Sequence, residues 1–229
     1  MKNEVDGRRE IASRNTAWAN VIARKLTRWG VTPNQISMMS VFFALIGCVL
    51  LVCTVIYPDF NKYVAYILFI VCMQSRLLCN LFDGMVAIEG GKKSANGDLY
   101  NGKKSANGDL YNDMPDRFAD ALFIIPVGYV AGGFGIELGW LAALLAIMTA
   151  YFRWIGAYKT HEHYFNGPMA KQHRMALLTV TFVIAAGTLH WGYEQIVCLI
   201  ALILMNIGLI VTLIRRLYFI AHTSNNELK

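Results

Sequence analysis

Asn80-Leu81-Phe82-Asp83-Gly84 and, further on, Asp116-Arg117-Phe118-Ala119-Asp120 set carboxylates inside long apolar runs of this chain. An unpaired charge in such surroundings is strongly unfavourable, so these acids must pair, hold a cation or line a polar cavity. Read as helix, Asn80, Asp83 and Ala87 fall at i, i+3 and i+7 on one face, where Gly84 lets a ligand approach the backbone. Asn112, Asp116 and Asp120 fall at i, i+4 and i+8 on a second face, with Asp113 beside them. Two such faces meeting would make the oxygen-rich pocket that hard divalent cations require. Two ions about 3.5–4 Å apart can then clamp the entering and leaving oxygens of a phosphoryl transfer.

The runs around these acids predict an all-α polytopic membrane protein. Hydrophobic residues make up 56% of the chain and mean hydropathy is +0.42. Six stretches approach the ~20 apolar residues that cross a bilayer: 35–57, 63–88, 110–131, 137–158, 174–190 and 194–217. Lys and Arg gather in alternate connections, at Arg8, Arg9, Arg14, Arg24, Lys25 and Arg28, at Lys92, Lys93, Lys103 and Lys104, at Lys159, Lys171 and Arg174, and at Arg215, Arg216 and Lys229, while the opposite loops hold only Lys62. That asymmetry predicts cytoplasmic termini and a site opening to the cytoplasm. The net charge of +6 suits anionic headgroups and phosphates, and nothing calls for nucleic acid.

Residues 1–33 read as an amphipathic interfacial helix, without the apolar core and cleavage site of a secretory signal. Ile11, Trp18, Val21, Ile22, Leu26 and Trp29 gather on one side, and Arg14, Arg24, Lys25 and Arg28 lie toward headgroups. Thr32 caps the next helix with Pro33 at its first position. Residues 34–220 form the membrane domain and 221–229 a cytoplasmic tail. Cys48, Cys53, Cys72, Cys79 and Cys198 fall inside spans without CxxC spacing and read as packing residues, and His161, His163 and His173 lack metal-ligand spacing.

The unit GKKSANGDLYN occurs at 91–101 and again at 102–112, a tandem duplication or an error in the recorded sequence. Eleven residues are close to three helical turns, ~16 Å of helix, so an added copy preserves the facing of the downstream helix.

With the acids so placed, the chain resembles the CDP-alcohol phosphotransferases, whose pattern is D-x2-D-G-x2-A-R-x8-G-x3-D-x3-D. Asn80, Asp83, Gly84 and Ala87 take its first positions. Counting forward, the second glycine falls on Gly97 and the third acid on Asn101; counting back from Asp116, they fall on Gly108 and Asn112. Removing one copy of the repeat reconciles the two counts. Thr32 to Ser37, TPNQIS, also resembles the start of that family's first span.

The resemblance implies a membrane transferase of phospholipid biosynthesis in a bacterial-type inner membrane. It moves a phosphatidyl or other phosphoalcohol group from CDP-diacylglycerol or a related CDP-alcohol to a hydroxyl acceptor, with release of CMP and two Mg²⁺ or Mn²⁺ ions, and works as a homodimer. Carried over, Asp83 is a metal ligand, Asn80 and Asn112 occupy ligand positions, and Asp116 is ligand or general base. Gly84, Ala87 and Gly108 admit the nucleotide. Lys171, His173 and Arg174, in GPMAKQHRM, contact phosphate on donor or acceptor, and the basic pair Lys171 and Arg174 tilts the acceptor toward one that carries phosphate. Three positions depart from the pattern: Asn80 and Asn112 replace acids and Ile88 replaces Arg. Asp113 and Asp120 are the residues placed to restore charge at the metals.

Structural readings stand beside these. Asp120 pairs with Arg117 or Arg153, Asp113 pairs with Arg117 at i+4, and Arg76 neutralises a neighbouring acid or holds a phosphate. Gly128, Gly132, Gly133 and Gly135 serve close packing and a turn. Two further functional classes remain open: a relative that binds CDP-lipid or a partner without turnover, and a membrane transporter whose carboxylates line a cation path, although the paired halves usual in transporters are not visible.

Overall fold

Thr32 opens the first long helix with a reciprocal cap. Its hydroxyl accepts from the Gln35 N–H at 3.3 Å while the Gln35 carboxamide accepts from the Thr32 N–H at 2.9 Å, and Pro33 comes next, where a missing N–H costs nothing. The structure, a computed structural model, describes residues 16–89, 108–160 and 167–226. These form α1 (Ala17–Arg28), α2 (Pro33–Ile56), α3 (Lys62–Glu89), α4 (Gly108–Ala131), α5 (Gly135–Thr160), α6 (Lys171–Thr188) and α7 (Glu194–Asn226), with a 3-10 turn at Leu189–Trp191. The expected all-α architecture holds. The helices α2, α3, α5, α6 and α7 are long and apolar enough to cross a membrane. The remaining long helix, α4, spans 24 residues and carries Asp116, Arg117 and Asp120 in its amino-terminal part.

The long helices close a ring in which α2 packs on α3, α3 on α6, α6 on α7, α7 on α5, α5 on α4 and α4 back on α2, with α4 also touching α7 across the middle. Their directions alternate along the chain, so that the ring neighbours α2 and α4 run parallel. At one end Ser37, at the start of α2, reaches Asp83 near the end of α3, and Asp116 near the start of α4 reaches Lys171 at the start of α6. At the other end Lys62, opening α3, pairs with Glu194, opening α7, at 3.0 Å.

An aromatic cluster fills the centre. Phe69 lies 4.5 Å from Phe182 and 5.4 Å from Phe123, and Tyr66 lies 5.0 Å from Phe182, between ring centroids. All four are buried, and each such pair adds about 0.5–1.5 kcal/mol to simple burial. Outside the ring the pattern inverts: Phe42, Leu45 and Val49 on α2 and Ile200, Leu204 and Ile207 on α7 are exposed. Water would penalise so continuous an apolar surface, and lipid does not. The cysteines are free, with Cys72 and Cys198 buried in packing as expected.

The interfacial helix expected over 1–33 is described as α1 from Ala17 onward, and Ile11 and Arg14 lie outside the described residues. Ala19 and Ala23 bury its small face against Leu81, Phe82, Met85 and Val86 of α3, with Trp18 edge-on to Phe82 at 6.1 Å. Trp18, Val21, Ile22 and Trp29 stay exposed.

Gly132 and Gly133 turn the chain between α4 and α5 with φ of +69° and +47°, values that other residues rarely adopt. Immediately before this turn α4 and α5 touch backbone to backbone. A Cβ on Gly128 would stand 2.5 Å from the Gly135 carbonyl oxygen and 3.2 Å from the Gly139 Cα. Gly128→Val is therefore expected to destabilise the bundle by about 1–3 kcal/mol, read by thermal unfolding in detergent. Gly187→Ala, which meets nothing within 4 Å, is expected to leave the transition unchanged.

Candidate active site

Four helices bring their polar residues to one end of the ring. Ser37 and its backbone come from α2; Arg76, Asn80 and Asp83 form a stripe on α3; Asp116 and Asp120 stand one turn apart on α4; Lys171 and Arg174 lie in the first turn of α6. Two basic residues at a helix amino terminus oppose the helix dipole, so their position is set by tertiary contacts. The Met169 N–H donates to Thr212 Oγ1 at 3.0 Å, docking the segment before α6 onto α7. Gly167, with φ +136°, lies so close that a Cβ there would stand 2.4 Å from Thr212.

Lys171 then donates to Asp116 Oδ2, while Arg76 Nη2 reaches Asp116 Oδ1 at 3.3 Å and the Asp116 carbonyl at 3.3 Å. Arg76 Nη2 also meets Asp120 Oδ1 at 2.8 Å, and Arg174 Nη2 meets Asp120 Oδ2 at 2.5 Å. Arg76 is 0% exposed, Arg174 2% and Asp120 1%. Both oxygens of Asp120 are thus committed to guanidiniums. For Asp120 the structure favours the ion-pair reading, with Arg76 and Arg174 as its bonded partners and Arg117 within electrostatic reach. The reason is tertiary: α3 and α6 are neighbours in the ring and reach Asp120 of α4 with long guanidinium side chains from across it, and no local spacing reveals that.

Asp83 is buried and differently surrounded. Its Oδ2 accepts from Ser37 Oγ at 3.3 Å and its Oδ1 from the Gly84 N–H. Arg76, two turns earlier on α3, contacts Asp116, which brings the α3 and α4 motif acids to the same end of the bundle. Asn80, one turn before Asp83, has a buried Nδ2 without a hydrogen-bond partner. Gly84 and Ala87 are half-buried on the same stretch, and His173 is exposed on α6, apart from the ion-pair network. Gly108, Asn112 and Asp113 belong to α4 by backbone, but their side chains, like that of Ile88, lie outside the described residues, as does the repeat up to residue 107.

Sequence reasoning gave no site role to Arg153 or Arg216. Arg216 of α7 is buried and donates to the Thr149 carbonyl, and Arg117, Arg153 and Arg174 all lie within its electrostatic reach. Guanidiniums from α4, α5, α6 and α7 therefore lie near one another, and through Arg174 the group reaches Asp120. A buried arginine in α7, inside an otherwise apolar run, was the available signal.

Carboxylate and carboxamide oxygens are the donors that Mg²⁺ and Mn²⁺ take. Asp83, touched by neutral donors alone, and Asn80, whose carboxamide when turned over would put Oδ1 in the place of its orphaned nitrogen, fit one divalent ion. Asp116 already has both oxygens against cations. Among the described residues no three His, Cys, Asp or Glu side chains are grouped to hold a metal ion, so the donors present, Asp83 with Asn80, suit one ion better than two.

No protein-family model matches this chain, and no curated protein matches it in sequence. Solved structures do. The chain superposes on phosphatidylinositol phosphate synthase (PgsA1) of Mycobacterium tuberculosis in complex with manganese and citrate with a TM-score of 0.68 and 13% identity, covering 88% of each chain. It superposes on the same enzyme with CDP-DAG bound with a TM-score of 0.65 and 14% identity, covering 90% of this chain and 94% of that one. The chain thus shares its fold with a CDP-alcohol phosphotransferase, as its motif led one to expect.

Proposed function

We propose that this protein is a CDP-alcohol phosphotransferase, a transferase of phospholipid biosynthesis. It transfers a phosphatidyl or other phosphoalcohol group from a CDP-activated lipid such as CDP-diacylglycerol to a hydroxyl acceptor. The observation that carries this reading is that α3, which bears Asp83, meets Asp116 of α4 through Arg76, with Lys171 on the same carboxylate, in one polar region at one end of an apolar ring. The fold shared with a synthase that has been solved with CDP-DAG supports it.

In this reading the Asp116 carboxylate, held by Lys171 and Arg76, accepts the proton of the acceptor hydroxyl. The hydroxyl oxygen bonds to the phosphorus distal to cytidine, the bond from that phosphorus to the bridging oxygen breaks, and CMP leaves with that oxygen. Gly84, Ala87 and Gly108 admit the nucleotide. A divalent ion, when bound by Asp83 and Asn80, neutralises phosphate charge. The guanidiniums of Arg117, Arg153, Arg174 and Arg216 favour an acceptor that itself carries phosphate. Residues 34–220 make the transferase domain with six crossings, α4 included. Residues 1–33 lie on the bilayer surface, residues 221–229 form the tail, and both termini face the cytoplasm of a bacterial-type inner membrane. The active form is a homodimer.

The test is CMP release by the purified protein in lipid, with CDP-diacylglycerol, Mg²⁺ or Mn²⁺ and a panel of alcohol acceptors. Release that needs both metal and acceptor is expected, strongest with a phosphorylated acceptor. Binding of CDP-diacylglycerol without release across the panel would replace the transferase with a non-catalytic lipid binder. Deleting residues 91–101 restores the family spacing between the two halves of the motif and is expected to raise turnover about tenfold, because small errors of placement cost large factors in rate. Equal turnover with and without the deletion would show that the extra copy is accommodated outside the site.

A further inference from the structure

Charge at the site runs against a pair of divalent ions. Around Asp116 the described acids Asp83, Asp116 and Asp120 face the bases Arg76, Lys171 and Arg174, with Arg117 also close to Asp120, so the described groups carry no net negative charge before any metal arrives. Two motif positions that could add negative charge, Asn80 and Asn112, are carboxamides. Arg76 is fully buried, its Nη2 is bonded to both Asp116 and Asp120, and its Nε and Nη1 have no hydrogen-bond partner. Lys171 sits on the remaining oxygen of Asp116, at a helix start where the dipole disfavours it and where the Asp116 carboxylate alone among the described residues accepts its hydrogen bond.

We propose that Lys171 stands in for the second divalent cation, so that the site takes a single ion, on Asp83 and Asn80, while Lys171 and Arg76 provide the positive charge at Asp116. This deepens the transferase reading and rests on it. The ammonium does for the Asp116 side of the site what a second metal would do, neutralising phosphate oxygens as they approach, without needing the two missing acids. A fixed cation a few Å away raises the cost of placing a further divalent ion there, which makes the arrangement self-consistent: one ion, one lysine.

The test counts ions directly. Mn²⁺ is titrated into the full chain in nanodiscs, with free Mn²⁺ followed by electron paramagnetic resonance, and Asp83→Asn supplies the background from the lipid surface. One site-specific Mn²⁺ per chain is expected for the wild type, and two for Lys171→Met, the second bound at least about tenfold more tightly than in the wild type. Lys171→Arg, which keeps the charge, is expected to stay at one. Two ions in the wild type would overturn the inference, including the case in which Asp113→Asn removes one of them. A count of one in Lys171→Met would overturn it as well, provided that the variant elutes as the wild type does on size exclusion. CMP release from CDP-diacylglycerol, measured in parallel, keeps the two readings apart: two ions with release sinks the single-ion inference alone, whereas one ion without release sinks the transferase reading.

Discussion

Asp120→Ala is expected to cost about 3–5 kcal/mol of stability, the range found when one member of a buried ion pair is removed. The loss falls mainly on Arg174. Arg76 can still turn to Asp116 at 3.3 Å, but Arg174 keeps only the Met169 carbonyl at 3.1 Å and is 2% exposed. For a chain of this size the expected fall in the melting midpoint is roughly 10 °C, followed by thermal unfolding in detergent. A companion variant gives the sign of the effect: Asp120→Leu combined with Arg174→Met removes both charges together and is expected to recover most of the loss, since replacing a buried pair by packed apolar groups is often neutral. A midpoint for Asp120→Ala within 2 °C of the wild type would mean that water or another carboxylate reaches Arg174 and that Asp120 is not its anchor.

Asp116→Asn is expected to lower CMP release by about 10²–10⁴, the usual contribution of a positioned proton acceptor, with affinity for CDP-diacylglycerol nearly unchanged. The two halves of this outcome separate chemistry from binding. An amide keeps the shape and still accepts a hydrogen bond from Lys171, but it cannot take the acceptor's proton. Activity within tenfold of the wild type would move the proton acceptor elsewhere, with Asp83 the next carboxylate in the site.

How much of the fold and site was legible in advance depends on the range of each interaction. The helices were readable because their signals are local. A threonine followed by proline and, three residues on from the cap, glutamine gave the start of α2, and the glycines after Ala131 gave the turn before α5. The apolar runs expected at 63–88 and 194–217 became Lys62–Glu89 and Glu194–Asn226. That Asp83 and Asp116 come to the same end of the bundle was also anticipated, but only through motif spacing across the repeat. Arg76 was expected to neutralise a nearby acid, but which acid it and Arg174 would meet was not legible: Arg76 is 44 residues from Asp120 and Arg174 is 54. The same holds for Lys171, expected at a phosphate and found on Asp116, and for α1, whose alanine face packs on α3 while its tryptophans stay exposed.

The sequence by itself determined that this is a bundle of long apolar helices with a few acids near the ends of two of them, because hydropathy, capping and turn geometry are properties of neighbouring residues. Only the tertiary structure decided which charges meet. The ring order α2, α3, α6, α7, α5, α4 makes α3 and α6 neighbours, so that Arg76 and Arg174 each reach one oxygen of Asp120 and Lys171 reaches Asp116. In so apolar a surrounding each acid must find its counter-charge. Which base supplies it depends on distances between helices that no local pattern encodes.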